Sequence, residues 1–163
     1  MVYIFRFLLP QEKEFMTDIA VPSSFSFFDF HQTVQEFFKY DKGQMASFII
    51  TDDQWNKLQE IAMVDFEKED GESPMKAYKL SDIFKKEGQR MLYVFDFFSE
   101  RAFFVQLSEI QEDKSVSKGS LLKLEGRIPD QIKIDLDFPN VGDEEDEDDF
   151  NDFDDLQYGE EDF

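Results

Sequence analysis

The chain has 163 residues, 41% of them hydrophobic and 17% aromatic with 21 phenylalanines, enough for one domain with a genuine core, which excludes disorder throughout. Its 38 Asp and Glu against 17 Lys and Arg give a formal net charge of -21, so direct nucleic-acid binding through a general duplex surface is disfavoured by repulsion from phosphates. No cysteine is present, which excludes a disulfide, a thiolate zinc site and a cysteine nucleophile.

The opening Met1 to Pro10 is apolar, but Arg6 interrupts it and Pro10 ends it, so no leader is expected. No stretch approaches the roughly 20 apolar residues that span a bilayer, and a cytoplasmic location follows by elimination. Tyr3 to Leu9 and Phe15 to Val21 read as strands of a hairpin about the polar turn 10–13, stopped by Pro22. Ser26-Phe27-Phe28-Asp29 has the serine, two residues, acid pattern of a helix N-terminus. Phe27, Phe30, Val34, Phe37 and Phe38 then recur at three- and four-residue spacing, predicting one apolar face of a helix that ends near Lys39 and packs on the sheet.

A third strand is expected over Met45 to Thr51 and a fourth around Glu60 to Phe66, followed by an exposed loop over 67–74. Leu80 to Gly88 carries a serine cap, an acid in the first turn, lysines in the last and a glycine stop, predicting a short second helix. Met91 to Phe98 and Ala102 to Leu107 are near-continuous apolar runs about Ser99-Glu100-Arg101, as expected for a central hairpin buried on both faces. Two weaker strands are offered by 121–124 and 132–136. The fold class is therefore α+β: a mixed or mostly antiparallel sheet with two packed helices in ββα-ββα-ββ order.

The composition changes near residue 140, which divides the chain into a domain over 1–140 and an acidic tail over 141–163. Thirteen of the 38 acids fall in 143–163 with no Lys or Arg, leaving 25 against all 17 bases elsewhere, a net of -8. Such a block repels itself and is expected to be disordered when alone. Phe150, Phe153, Leu156, Tyr158 and Phe163 are interleaved with the acids, the acidic-hydrophobic pattern of segments that fold on binding a partner. A solubilising tail accounts for the acids equally well but gains nothing from the rings.

Phe30 to Asp41, Phe48, and Leu80 to Phe84 leading into Tyr93-Val94-Phe95-Asp96-Phe97 resemble the plasmid pRiA4b ORF-3-like family, some of whose relatives look like passenger proteins of insertion elements. The resemblance covers roughly residues 1 to 110 and implies an α+β fold, with no established reaction. Where that family carries a histidine-bearing segment, this chain has Gln44 to Phe48; where it continues into glycine, aspartate, tryptophan and histidine, this chain has Phe98 to Phe103. A site served by those histidines is not expected here. Gly159 to Phe163 also resembles the acidic, phenylalanine-terminated tips of bacterial single-stranded-DNA-binding proteins, which implies a pocket for the Phe163 ring and a basic side chain for its carboxylate.

His31 is the single histidine, so neither a two-histidine metal site nor a His-Cys relay is possible, and a partly buried structural role on the flank of the apolar stripe is expected. Asp52, Asp53, Asp96 and Glu100 could converge on a hard cation, but a turn cap for the pair and a hydrogen-bonded core position for Asp96 are the simpler reading. Trp55 and the phenylalanines lack the positive groove that base stacking requires, so they pack a core or a homodimer face. The expectation is thus a non-catalytic interaction module without cofactor, its tail engaging a basic protein partner such as a nucleic-acid-binding protein. The alternatives are a carboxylate- and metal-dependent enzyme around Asp52, Asp53 and Asp96, or a duplex mimic linked to mobile elements.

Overall fold

The computed structural model describes residues 1–65 and 72–132. Strands β1 (Val2–Leu9) and β2 (Glu12–Pro22) form the first hairpin, followed by helix α1 (Phe27–Phe38). Next come β3 (Ser47–Thr51), β4 (Lys57–Ala62), the single turns α2 (Pro74–Ala77) and α3 (Leu80–Ile83), and then β5 (Arg90–Asp96), β6 (Arg101–Gln111) and β7 (Ser120–Glu125). All seven strands join one antiparallel sheet in the order β4-β3-β5-β6-β1-β2-β7. The mostly antiparallel sheet with helices agrees with the expected class. Met1–Ile132 forms one compact unit. The expected boundary near 140, the tail over 141–163, most of the strand over 132–136 and most of the 67–74 loop lie outside the described residues.

Strand periodicity places Tyr3, Phe5, Phe7, Ile19, Val21, Phe48, Met91, Tyr93, Phe95, Phe103, Val105 and Leu107 on the inward face, all buried. Helix α1 lies against that face: Phe30 meets Phe5 at 4.9 Å and Phe48 at 5.8 Å, and Phe38 meets Phe7, Phe15 and Phe103 at 5.3 to 6.1 Å. These stacked, tilted and edge-on contacts all lie at the centroid separations favoured for aromatic pairs, so the core is a phenylalanine lattice rather than an aliphatic one. The expected cap is present in full. Asp29 N donates to Ser26 Oγ at 3.0 Å, and Ser26 N donates to Asp29 Oδ2 at 3.1 Å. Lys39 ends the helix in the left-handed conformation, its amide bonding back to the last turn.

Three expectations are corrected. The helix over 80–88 is a single turn ending at Ile83, with Phe84 extended and buried. Gln89 Oε1 accepts the amides of Lys85 and Lys86, and the Tyr3 hydroxyl donates to Phe84 O at 2.6 Å, so side chains take the backbone groups that a longer helix would use. Strand β4 starts earlier than Glu60 because Asp52 and Asn56 close a tight turn in which Trp55 has φ 67. The central hairpin is not buried on both faces: along β5 and β6 buried residues alternate with half-buried ones, since no helix covers the outward face among the described residues.

Past β7, Gly126 has φ 79, and a Cβ there would stand 2.7 Å from Glu14 O, so the position requires glycine. The segment beyond it is tied back to the body. Tyr40 donates its hydroxyl to Pro129 O at 2.6 Å, and Gln131 bonds the Asp41 backbone through both ends of its amide.

Candidate functional site

Helix α1 delivers His31 into the core, where it is 1% exposed, more deeply buried than its place on the stripe's flank suggests. Its Nδ1 shares a 2.7 Å hydrogen bond with the Tyr93 hydroxyl from β5. Burial lowers the imidazole pKa to about 4, so the ring is neutral at pH 7. Burial, with the nearby Tyr40 adding to it, raises the Tyr93 phenol far above its ordinary value. Both partners are therefore uncharged at neutral pH, and Tyr93 is enclosed by Phe48 at 4.9 Å. The pair anchors the helix to the sheet.

Asp52 receives Gln54 N at 2.8 Å, Asn56 N at 2.9 Å and Asn56 Nδ2 at 3.1 Å. The Asn56 amide above all, then Gln54 N and the Asn56 side chain, holds the carboxyl below the usual aspartate range. It closes the β3–β4 turn. Asp53 is exposed, and its carbonyl accepts Arg90 Nη1.

Asp96 sits where β5 gives way to the β5–β6 turn. It receives Ser99 N at 3.1 Å and the Arg101 guanidinium at 2.9 Å, both side chains being largely buried. Arg101 also donates to the carbonyls of Asp130 and Gln131 at 2.7 and 3.1 Å and lies 4.8 Å over the Phe95 ring. Asp96 therefore orients an arginine that fastens the segment at 130–131.

The four acids do not converge. Thr51 pairs with Arg90 at one end of β5, and Asp96 stands six residues along that strand, roughly 20 Å away at about 3.3 Å per residue. Glu100 shares the turn of Asp96 but is exposed, with φ 55. No group of three or more His, Asp or Glu suited to a metal ion occurs among the described residues.

Trp55 was expected as core or dimer face, and the structure brings it to the outward face. Its ring lies 4.3 Å from Phe104, and Arg90 lies 4.8 Å over it with Nε buried and unpartnered. Sequence reasoning missed this cluster. Its signal is the adjacent pair Phe103-Phe104, which must point to opposite faces of a strand.

Residues 7–132 match the family described as plasmid pRiA4b ORF-3-like protein. The chain belongs to this family. A crystal structure of a protein of unknown function, MM3350 from Methanosarcina mazei Go1, is similar in fold, with a TM-score of 0.62 and 20% identity over 79% of this chain and 71% of that one. No curated protein matches. In this pRiA4b ORF-3-like chain the family match covers α1 and the sheet apart from the first part of β1, and it includes His31, Asp52, Asp96 and Trp55. No helix among the described residues is long and apolar enough to cross a membrane. The candidate partner-binding residues Phe150, Phe153, Leu156, Tyr158 and Phe163 lie outside the described residues.

Proposed function

We propose that the chain is a non-catalytic interaction module of the cytoplasm whose residues 143–163 capture a basic protein partner. The observation that carries the reading is the sequence of that segment: thirteen acids and no base, with Phe150, Phe153, Leu156, Tyr158 and Phe163 set among them. Carboxylates at that density attract a basic surface from a distance, and large apolar side chains add contacts that charge alone does not provide. The engagement of His31 by Tyr93, of Asp52 by its own turn and of Asp96 by Arg101 supports the same reading, because these three side chains hold the fold.

The test is a pull-down from the native cell with three baits: the intact chain, the chain without 143–163, and the chain with the five apolar residues changed to alanine. A basic protein retained by the intact chain alone, and released as salt rises, is the expected result. Identical captures by intact and deleted chains remove the segment from the function, and retention by the alanine variant reduces the mechanism to diffuse charge.

A further inference from the structure

The outward face of the sheet carries a continuous apolar row. Cross-strand register places Met16 beside Leu8, Leu8 beside Phe104, Phe104 beside Leu92 and Leu92 beside Ile49, so one side chain from each of β2, β1, β6, β5 and β3 stands in line. Leu8 is 45% exposed, and Met16, Phe104, Leu92 and Ile49 are half-buried. Val94 and Ala102 form a second short apolar row beside it, and Trp55 rests on Phe104.

We propose that this face is where a second copy of the chain docks, sheet against sheet. The proposal goes beyond the capture of a basic partner and does not depend on it.

Charge selects the occupant. In a chain of net charge -21, six of the charged side chains bordering this row stand as neutral pairs, Arg6 with Asp18 at 2.9 Å, Lys57 with Glu60 at 3.3 Å, and Lys123 with Glu125 at 3.2 Å, while Glu14 shares the face of Met16 along β2 and Arg90 lies over Trp55, one charge of each sign. A basic partner gains nothing from such a surface and is drawn to the acidic remainder of the chain. A second copy, acidic elsewhere, meets a face whose charges nearly cancel. The row is also suited to pairing with itself: it crosses the strands, and aligned sheets pack within about 30° of each other, so a two-fold axis lays stripe on stripe.

Size agrees. Seven strands about 4.8 Å apart, each five to eleven residues long at about 3.3 Å per residue, give a face roughly 29 Å wide and at least about 17 Å long, about 500 Å² in projection. Side-chain relief enlarges this toward the ~800 Å² per partner that standard interfaces bury.

Sedimentation velocity of the full chain, over a concentration series at low salt and at about 1 M salt, tests the proposal. A dimer is expected whose dissociation constant falls as salt rises, because screening relieves repulsion between the acidic copies. The sign is opposite to that for capture of a basic partner, so failure of one leaves the other standing. Leu8→Glu is expected to weaken the dimer about tenfold or more by burying an unpaired carboxylate. Tyr78→Glu adds the same charge between α2 and α3 and is expected to leave it unchanged. Circular dichroism checks each fold, and Met16→Glu replaces Leu8→Glu if that variant unfolds. A monomer at every concentration and salt, a dimer that salt dissociates, or equal weakening by the two glutamates overturns the proposal.

Discussion

The two faces of the sheet are built from the same strands, yet one is a closed phenylalanine lattice and the other an open apolar row. Phe103 and Phe104 show the difference at adjacent positions. Phe103 is fully buried, with Phe95 at 4.5 Å, Phe38 at 5.3 Å and Phe7 at 5.8 Å around it, whereas Phe104 is half-buried and, among the described residues, meets the ring of Trp55 alone. Apolarity therefore does not decide which face becomes the core. What decides it is the helix: α1 carries its capped, phenylalanine-bearing stripe to one side only, and the other side keeps its hydrophobic residues without a cover among the described residues.

Breaking each face in turn gives the largest expected effect. Phe103→Ala leaves a cavity in a rigid lattice and is expected to cost about 3 to 5 kcal/mol. Phe104→Ala, at a half-open position, is expected to cost about 1 to 2 kcal/mol. Urea midpoints read both, in dilute protein so that self-association adds nothing. Equal costs would mean that the outward face is as closed as the inward one.

Helix and sheet are joined across the inward face by His31 and Tyr93, and pH tests that junction. The folded imidazole pKa of about 4 lies below its ordinary 6.5, so the unfolded chain binds the proton more readily. Stability from this group is complete above pH 6.5 and is lost as pH falls toward 4, with about 2 kcal/mol gone by pH 5. Ordinary carboxylates titrate lower, so they contribute little between pH 7 and 5. His31→Gln keeps a polar partner for Tyr93 and is expected to flatten the dependence in that window. A variant as acid-sensitive as the parent there would place the proton uptake elsewhere.

Sequence disclosed the inward face better than the outward one, for a physical reason. The capping box at Ser26 and Asp29 and the stripe at Phe27, Phe30, Val34 and Phe38 are local signals, set by hydrogen bonds and spacing within one element. In β5 and β6 the outward residues Leu92, Val94, Ala102 and Phe104 are apolar as well, so the two-residue alternation that marks a one-sided sheet is hidden and the run reads as buried throughout. Whether a helix lies above a strand is a tertiary fact. The same holds at the candidate site: Asp96 is recognisable as a polar residue needing a partner, but the link from Arg101 to the carbonyls of Asp130 and Gln131 joins segments some thirty residues apart. The left-handed backbone of Trp55 has no signature in its neighbours either, since Asp52 and Asn56 enforce it through the turn.

The smallest expected effect sharpens the contrast through two ion pairs of equal length. Asp96 and Arg101 meet at 2.9 Å with side chains 4% and 13% exposed, while Asp18 and Arg6 meet at 2.9 Å with side chains 12% and 43% exposed. Water reaches the Arg6 guanidinium, so its attraction for Asp18 is screened and offsets little more than the side-chain entropy it costs. Two parallel bonds, Nε to Oδ1 at 2.9 Å and Nη2 to Oδ2 at 3.0 Å, lift the pair above an ordinary surface contact. Should Arg6 be removed, Lys123 stands directly across from Asp18 in the β2–β7 register, so the carboxylate is left beside a second cation. Arg6→Gln is therefore expected to cost at most about 1 kcal/mol in dilute protein, and less at about 1 M salt, where screening removes most of the attraction. A double-mutant cycle with Asp18→Asn isolates the pair. A coupling of several kcal/mol that persists at high salt would show this ion pair to be shielded from water, and the outward face would then be covered rather than open.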